Sequence, residues 1–429
     1  MQTNFTVEQL SNPAIARSNE VLIKCLQCGY CLPNCPTYQL SGDEMETPRG
    51  RVALIKDMLE SGNKPKDKTV ENIDHCLSCL ACLSTCPSFV NYMHLVDHAR
   101  EYIEENYQRP LFDRLIRGVL AQVLPYPQRL RMAIHTAKLV RPLAFTMPKR
   151  LRVMLEVAPR KLLPVSPNDA PQSFPAIGER KRRIALLTGC AQKVLNTDIN
   201  DSTIRILRRH GCEVVVAEGA GCCGALTLHM GKSKQSKVAA EKNIRAWMDE
   251  INGRGLDAIV INTSGCGTVI KEYGHIFRND KLAEEAATIA ALAKDVSEVL
   301  SDIELEHKII PDLRVAYHAT CSLQFGQRIR FAPKKLLKAA GFTVLEPKES
   351  HTCCGSAATY SMLQPEISGK LKQNKVTSLE VVKPDVIAAG NIGCITQISS
   401  GTDIPVVHTI ELLDWATGGP IPRVLQKNI

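Results

Sequence analysis

Two cysteine runs with the same spacing dominate the chemistry open to this chain. Each reads C-x2-C-x2-C-x3-C-P, a bacterial run whose thiolates bind [4Fe–4S] clusters and whose fourth cysteine binds the neighbouring cluster. We therefore predict two clusters with exchanged fourth ligands. The first takes Cys25, Cys28, Cys31 and Cys86, and the second takes Cys76, Cys79, Cys82 and Cys35.

Zinc and disulfides explain these runs less well. Structural zinc usually takes cysteine pairs that lie far apart in sequence, whereas here four cysteines fall within 11 residues, twice, each time before a proline (Pro36 and Pro87). Disulfides belong to exported proteins, and no export signal is apparent. The runs therefore favour a dicluster, ferredoxin-like region.

The composition is that of an ordinary protein with several domains. The chain has 429 residues, of which 44% are hydrophobic and 23% charged, and it contains 17 cysteines, many for a cytosolic protein. Its first residues, MQTNFTVEQL, lack the basic and apolar regions of a signal peptide. No apolar run approaches the roughly 18 residues of a membrane span. We expect a cytoplasmic protein.

Positive charge is concentrated in residues 109–157 and just beyond. Only Asp113 and Glu156 oppose it, so the stretch 109–161 has a net charge of +10. The whole chain has a net charge of +9, which means that the remaining residues are together close to neutral. Within it, apolar residues from Phe112 to Val123 repeat at helical spacing. Such a helix can dock on a membrane surface or a partner, or its apolar face can pack on its own domain. Nucleic-acid binding is a weaker alternative, because the sequence contains no recognition motif for it. The twelve basic residues are Arg109, Arg114, Arg117, Arg129, Arg131, Lys138, Arg141, Lys149, Arg150, Arg152, Arg160 and Lys161.

The elements around the first cysteines are predicted to be helical. Thr47 and Pro48 are typical of a helix start and precede an apolar-periodic run. Residues 1–108 therefore form an α-helical ferredoxin-like domain. Residues 109–157 form the basic amphipathic segment, and the proline-rich residues 158–183 read as a linker.

The rest of the chain is an internal repeat, with unit 1 at 184–304 and unit 2 at 312–425. In each unit a short β-branched run ends in a cysteine, 31 residues separate this cysteine from a Cys-Cys-Gly, and a later strand ends near another cysteine. Helical stretches separate the strands, which predicts a small parallel sheet per unit. The predicted fold is α+β and multidomain: an N-terminal α-helical ferredoxin with two [4Fe–4S] sites, then a duplicated α/β Cys-Cys-Gly domain.

The repeat carries a second set of candidate ligands at the carboxyl ends of its strands, where open α/β sheets bind ligands. An iron–sulfur cluster, a tetrahedral zinc or a redox-active dithiol would each suit four thiols. Gly224 and Gly355 are expected to let the backbone approach the site. Cys212 has no counterpart and reads as a core residue. The sets are Cys190, Cys222, Cys223 and Cys266 in unit 1, and Cys321, Cys353, Cys354 and Cys394 in unit 2.

A dinucleotide-binding pattern in unit 1 is judged incidental. Residues 219–224 match G-x-G-x-x-G after a strand. Unit 2 keeps the two cysteines and the last glycine but loses the first two glycines. We therefore expect that this chain binds neither flavin nor NAD. We also expect that it carries electrons and does not itself oxidise the substrate.

The order of these features resembles the iron–sulfur subunits of the heterodisulfide-reductase and anaerobic glycerol-phosphate-dehydrogenase superfamily, and within it those of bacterial glycolate oxidases. The resemblance runs almost end to end. Its specific stretches are CLQCGYCLPNCPTYQLSGDEMETPRGR, AGCCGALTLHM, TSGCGTVIKEYG and HTCCGSAATYSM.

The resemblance implies an electron-transfer subunit of an oxidoreductase complex. Two FAD-binding partner subunits would oxidise glycolate, and this chain would pass the electrons to membrane quinone. The complex would sit on the cytoplasmic face of the inner membrane, where anionic lipid suits the basic segment. Sister subunits serve lactate and glycerol 3-phosphate, which remain alternatives.

One departure bears on the chemistry. In heterodisulfide reductases each unit ends in CxxC, but here Thr263 and Asn391 replace the first cysteine of that pair. Four thiols per unit remain, which disfavours a thiol/disulfide reductase. One or two further iron–sulfur clusters, or zinc that makes the repeat a platform for partners, both stay open.

Overall fold

The computed structural model describes residues 1–159, 161–309 and 312–426. Arg160, one of the twelve basic residues, lies outside this description, as does the side chain of Lys149. Among the described residues, no helix is both long enough and apolar enough to cross a membrane.

The N-terminal region is helical, as predicted. Thr47 accepts a hydrogen bond from the backbone N–H of Gly50 (3.0 Å) and Pro48 opens the helix, so α4 begins where its sequence indicates. Its apolar face, including Ile55 and Leu59, packs in one core with Leu95 of α6. The helices are α1 (Val7–Ser11), α2 (Pro13–Leu22), α3 (Pro36–Ser41), α4 (Pro48–Ser61), α5 (Asp67–Asp74) and α6 (Tyr92–Asn106).

The basic segment folds into three helices that lie against the repeat. Helix α7 has one buried and one exposed apolar face. Ile116 and Leu120 pack in a core with Met230 and Leu363, whereas Leu115 and its neighbours on the other face are exposed. The packing expected of this helix is therefore confirmed for one of its faces, and a contact of the exposed face with a membrane or partner stays a prediction. The helices are α7 (Leu111–Val123), α8 (Pro127–Val140) and α9 (Lys149–Val157).

Unit 1 is a five-stranded sheet in the order β1-β3-β2-β4-β5. All pairs are parallel except β1–β3, and β1 comes from the segment predicted as a linker. The strands are β1 (Gln172–Phe174), β2 (Arg182–Leu186), β3 (Cys212–Val216), β4 (Ala258–Ile261) and β5 (Ala293–Asp295). The helices are α10 (Gln192–Leu195), α11 (Asp198–Arg209), α12 (Ala225–Leu228), α13 (Ser233–Gly253), α14 (Ser264–Lys271), α15 (Tyr273–Ile276), α16 (Ala283–Leu292) and α17 (Val296–Ser301).

Unit 2 repeats this plan with four parallel strands in the order β7-β6-β8-β9. An aspartate stands directly before the third strand of the repeat in each unit, Asp257 before β4 and Asp385 before β8. The two have matching roles, because Asp257 accepts from the N–H of Arg183 (2.6 Å) and Asp385 from that of Arg314 (2.7 Å). The strands are β6 (Arg314–His318), β7 (Thr343–Leu345), β8 (Val386–Ala389) and β9 (Val406–His408). The helices are α18 (Ala332–Ala339), α19 (Tyr360–Leu363), α20 (Pro365–Glu380), α21 (Ile392–Ser399) and α22 (Thr409–Ala416).

The two units share a core. Buried side chains of α11 and β3, such as Ile206 and Val214, belong to the same apolar cluster as Val315 and Leu413 of unit 2. Arg205 and Arg209 of α11 both pair with the fully buried carboxylate of Asp414 in α22. This shared packing holds the cysteine ends of the two sheets in a defined relation.

Candidate functional site

The two ferredoxin cysteine runs have the same unusual backbone. Gln27 and Ser78, each two residues after the first cysteine of its run, have φ of 56° and 51°, and Gly29 and Leu80 are also left-handed. Non-glycine residues adopt this conformation at an energetic cost, and it concentrates at functional sites. The turns bend the chain so that several thiols face one side.

The first predicted ligand set comes together in the structure. Cys25, Cys28, Cys31 and Cys86 all line one cavity of about 40 Å³, which Cys82 of the second set also borders. Burial raises the pKa of the Cys31 thiol to about 11, and the charges of Cys25 and Cys86 add to this effect. Cys86, which belongs to the second run, thus lies with the first.

The second predicted set is more deeply buried. Cys82 interacts electrostatically with Cys79, Cys76 and Cys35, and burial raises its pKa well above the ordinary value. Arg51 donates from Nη1 to Cys35 Sγ (3.7 Å), and its own charge is balanced by Glu46.

These donor sets suit iron–sulfur clusters. Buried thiols with raised pKa values stay protonated until a cation offsets the negative charge of their thiolates. Hydrogen bonds aim at the sulfur atoms: Tyr92 Oη donates to Cys76 (3.6 Å) and the N–H of Val90 to Cys86 (3.4 Å). Such bonds tune cluster potentials. None of the 17 cysteines, all of which lie in the described part of the chain, forms a disulfide.

The four cysteines of unit 1 form a connected group. Cys222 lies between Cys190 and Cys223, and hydrogen bonds with these two lower its pKa well below the ordinary value. Cys266 in the first turn of α14 completes the group through its contact with Cys223.

The four cysteines of unit 2 form two close pairs. Cys321 Sγ and Cys353 Sγ lie 4.0 Å apart, and Cys354 Sγ and Cys394 Sγ lie 3.1 Å apart. Cys353, Cys354 and Cys394 are buried. The structure thus brings together every thiol of both predicted sets.

The glycines after the paired cysteines act differently from the sequence expectation. A Cβ on Gly224 would lie 2.7 Å from the backbone oxygen of Ser236, and one on Gly355 equally near that of Ser368. The close approach that excludes a side chain is therefore to α13 in unit 1 and to α20 in unit 2. With φ near +84°, each glycine aims its N–H at the first cysteine of its pair, at 3.5 Å and 3.4 Å.

The residues that replace the fifth cysteine of each unit have structural roles. Asn391 caps α21, accepting through Oδ1 from the N–H of Gly393 (2.8 Å) and of Cys394 (3.4 Å). Thr263 donates to the side chain of Gln192. An asparagine cap thus orients the last cysteine of unit 2.

The two remaining features of the repeat lie apart from the thiol sets. Cys212 is 1% exposed in β3 and packs with Phe174 and Ile184. In the glycine-rich loop, the N–H of Gly221 donates to Asn243 Oδ1 (2.7 Å) and is not free for a phosphate.

Several residues of the site were not found from the sequence. Arg51 and Tyr92 contact cluster-region sulfurs across long sequence separations. His318 and Lys375 lie beside the unit 2 cysteines. Of these residues, only His318 could have been noticed in the sequence, because the aligned position of unit 1 is Leu187 and not a histidine.

A cavity of about 400 Å³ lies between the two cysteine groups and the basic segment, and most of its lining is apolar. Cys190 and Cys266 of unit 1 and Cys321 and Cys394 of unit 2 border it. Its opposite wall comes from α7, α8 and α9, including Val119, Leu120, Leu130, Ile134 and Met154.

Comparison with known proteins agrees with this organisation. A family model described as a 4Fe-4S dicluster domain matches residues 21–90, and one described as a cysteine-rich domain matches residues 184–271 and again 315–399. The chain is an iron–sulfur protein whose ferredoxin-like domain precedes two cysteine-rich repeats.

Whole-chain relatives extend the match. The glycolate oxidase iron-sulfur subunit of Escherichia coli (strain K12) is 39% identical over 418 residues, which cover 97% of this chain and 99% of that one. The probable glycolate oxidase iron-sulfur subunit of Bacillus subtilis (strain 168) is 31% identical over 97% of this chain and 99% of its own. Lactate utilization protein A of Geobacillus thermodenitrificans (strain NG80-2) is 28% identical but matches only 54% of this chain, with 98% of its own length covered. With its dicluster domain, its two cysteine-rich repeats and these full-length matches, the chain belongs to the family of iron–sulfur subunits that the two glycolate oxidase subunits represent.

Proposed function

We propose that this chain is the electron-transfer subunit of a flavin-dependent glycolate oxidase, a complex with two FAD-binding partners. Oxidation of glycolate to glyoxylate at a partner flavin releases two electrons and two protons. Iron–sulfur clusters, when bound, accept and release electrons one at a time. The eight cysteines of the ferredoxin runs are the proposed ligands of two [4Fe–4S] clusters. Those of the repeat would bind one or two further clusters, or zinc.

The contact between the second ferredoxin set and unit 2 carries this proposal. Cys79 interacts electrostatically with Cys321 and Cys353. The same three cysteines share an apolar cluster with Leu77 and Tyr360. Thiols of two separate domains are thus neighbours, which is the arrangement a relay of redox centres needs.

The apolar cavity supports quinone as the acceptor. A quinone takes up two electrons and two protons to become a quinol, and its ring and tail require an apolar site next to the last redox centre. The cavity of about 400 Å³ borders the cysteines of both units, and its size and lining are typical of sites for small molecules.

The surface of the basic segment supports association with a membrane. Phe112, Leu115 and Val119 of α7 are 45–64% exposed, beside a stretch with a net charge of +10. Exposed apolar side chains with surrounding lysine and arginine are typical of helices that lie on anionic membranes. Peripheral binding to the cytoplasmic face of the inner membrane would bring the cavity near the quinone pool.

Separate Cys222→Ser and Cys353→Ser variants of the full complex test the proposal. We expect both to assemble with the flavoprotein partners, and Cys353→Ser to abolish quinone reduction while glycolate still reduces the partner flavin. Loss of assembly in both variants would contradict the relay and show a structural platform instead. Lactate and glycerol 3-phosphate, assayed beside glycolate, test the substrate.

A further inference from the structure

The two cysteine-rich units differ in one potential metal ligand. Their first strands align through the cysteines that follow them, which places Leu187 of unit 1 opposite His318 of unit 2. His318 ends β6, three residues before Cys321. Unit 2 therefore offers an imidazole where unit 1 offers a hydrocarbon.

This imidazole lies among the cysteines. One ring nitrogen of His318 and the sulfur atoms of Cys354 and Cys394 all lie within 4.8 Å of one another. Across residues 1–159, 161–309 and 312–426, no other three histidine, cysteine or acidic side chains meet so closely. Such spacing allows the three donors to share one metal atom. The other pair, Cys321 and Cys353, remains for a second.

His318 also lacks any other partner. Its residue is 1% exposed, and neither Nδ1 nor Nε2 has a hydrogen bond. Buried ring nitrogens without partners are costly and uncommon in native proteins. A metal atom held jointly with Cys354 and Cys394 would satisfy one of them.

A second difference adds positive charge beside unit 2. Lys375 lies seven residues after Ser368, and Asn243 lies seven residues after Ser236, the serines that contact the two Cys-Cys-Gly glycines. Both side chains hold the loop before the paired cysteines: Asn243 donates to the carbonyl of Cys222 (2.9 Å) and Lys375 to that of Glu349 (3.1 Å). Lys375 interacts electrostatically with all four cysteines of unit 2.

We propose that the metal centre of unit 2 is an iron–sulfur centre with mixed donors, in which His318 binds one iron atom together with Cys354 and Cys394. Unit 1 uses thiolates alone. This inference rests on the proposed function, which places a redox centre in unit 2. The imidazole is neutral and adds no negative charge to the four thiolates, and the positive charge of Lys375 raises the reduction potential of the centre. With both centres bound, unit 2 would accept one electron at a time from the second ferredoxin cluster, with no bond made or broken.

Isotope labelling of the full complex tests this ligand. Anaerobically purified protein with ¹⁵N-histidine is reduced with dithionite and examined by pulsed electron paramagnetic resonance. We expect hyperfine coupling from a bound imidazole nitrogen that changes with the isotope. His318→Leu, which places the unit 1 residue at this position, should abolish this coupling. His318→Cys should restore a ligand without the nitrogen, so that iron is retained while the coupling is lost.

Tyr317→Leu is the matched control, because it installs Leu186 of unit 1 at the neighbouring buried position of the same strand. It should keep the nitrogen coupling. Absence of imidazole coupling in the wild-type protein, its persistence in His318→Leu, or zinc instead of iron in unit 2 would overturn the proposal. The proposed function fails by a different result, in which this centre reduces with dithionite but not with glycolate and the flavoprotein partners.

Discussion

Cys79 and Cys353 lie in one apolar cluster, although the first belongs to a ferredoxin loop and the second to unit 2 of the repeat. Tyr360 of unit 2 fixes this contact by donating a hydrogen bond to the backbone oxygen of His75 (2.9 Å), just before the second cysteine run. The ferredoxin-like domain is therefore docked through the neighbourhood of its second cluster.

Replacement of Cys79 should remove one cluster. We expect Cys79→Ala to lower the bound iron by about four atoms per chain, the content of one cubane. Cys212→Ala, at a buried cysteine outside all thiol sets, should leave the iron content unchanged. Iron and sulfide analysis of anaerobic protein measures both, and an equal loss in the two variants would contradict the assignment.

The hydroxyl of Tyr92 should raise the potential of the second cluster. It donates to Cys76 Sγ at 3.6 Å from a fully enclosed position, and hydrogen bonds to cluster sulfurs stabilise the reduced form. Tyr92→Phe should keep the iron but shift one midpoint potential downward in a redox titration. Tyr126→Phe, at an exposed tyrosine, should shift none; a wild-type potential in Tyr92→Phe would argue against this role.

Filling the apolar cavity should block the electron acceptor. Ala137 of α8 lines the cavity, whereas its neighbour Thr136 is exposed and does not. Ala137→Trp should raise the KM for a water-soluble quinone analogue at least several-fold while flavin reduction by glycolate continues. Thr136→Trp serves as the control. Unchanged quinone kinetics in Ala137→Trp would place the acceptor elsewhere.

Asp74 should hold the basic segment against the ferredoxin-like domain. Its carboxylate pairs with Arg109 (2.6 Å) and Arg117 (2.8 Å), whose side chains are 7% and 6% exposed. Burial opposes its ionisation, yet the two guanidinium groups hold the pKa of Asp74 below its ordinary value. Asp74→Asn removes one carboxylate from two buried guanidinium groups that both still pair with Asp113, so we expect a loss of about 1–3 kcal/mol.

Denaturant unfolding measures this loss, and proteolysis within residues 109–157 reports release of the segment. Asp57→Asn is the control, since Asp57 is 75% exposed and 3.8 Å from its lysine; such surface pairs contribute at most about 1 kcal/mol. Equal stability of the two variants would show that Asp74 is dispensable.

Glu411 should make unit 2 less stable as pH rises. Burial raises its pKa from 4.5 to about 7, so the folded chain keeps a proton that the unfolded chain releases between these values. Stability is then highest below pH 4.5 and falls as pH rises to about 7, by up to roughly 3 kcal/mol. Glu411→Gln should be more stable than wild type at pH 8.

The amide oxygen of this variant can still accept from the N–H of His408, as the carboxylate does at 2.8 Å, so the cap of α22 persists. Hydrogen exchange of α22 at pH 6 and pH 8 provides the readout. Glu298, the corresponding cap residue of α17, offers a matched Glu298→Gln control because it is only partly buried and paired with Lys271. The same pH slope in wild type and Glu411→Gln would contradict the prediction.

The local features of the fold were predictable because they depend on neighbouring residues. Thr47-Pro48 starts α4 as its capping chemistry requires. The βαβ pattern follows from short β-branched runs. The order of the strands in the sheet was predictable only in part, because β1 arises in the segment expected to be a linker, where Ser173 and its neighbours pair with the open edge of β3. No periodicity marks a three-residue edge strand.

The sequence by itself determined the kinds and spacing of the thiol donors, the duplication of the repeat and the family. Ligand spacing is a local property, since a few residues fix which sulfurs a turn can aim together. Only the tertiary structure decided that Cys79 and Cys353 lie in one apolar cluster and that Ser236 leaves no room for a side chain at Gly224. It also decided that His318, which has no hydrogen-bond partner, lies within 4.8 Å of the sulfur atoms of Cys354 and Cys394. These relations depend on how separate domains pack over distances that no local pattern encodes.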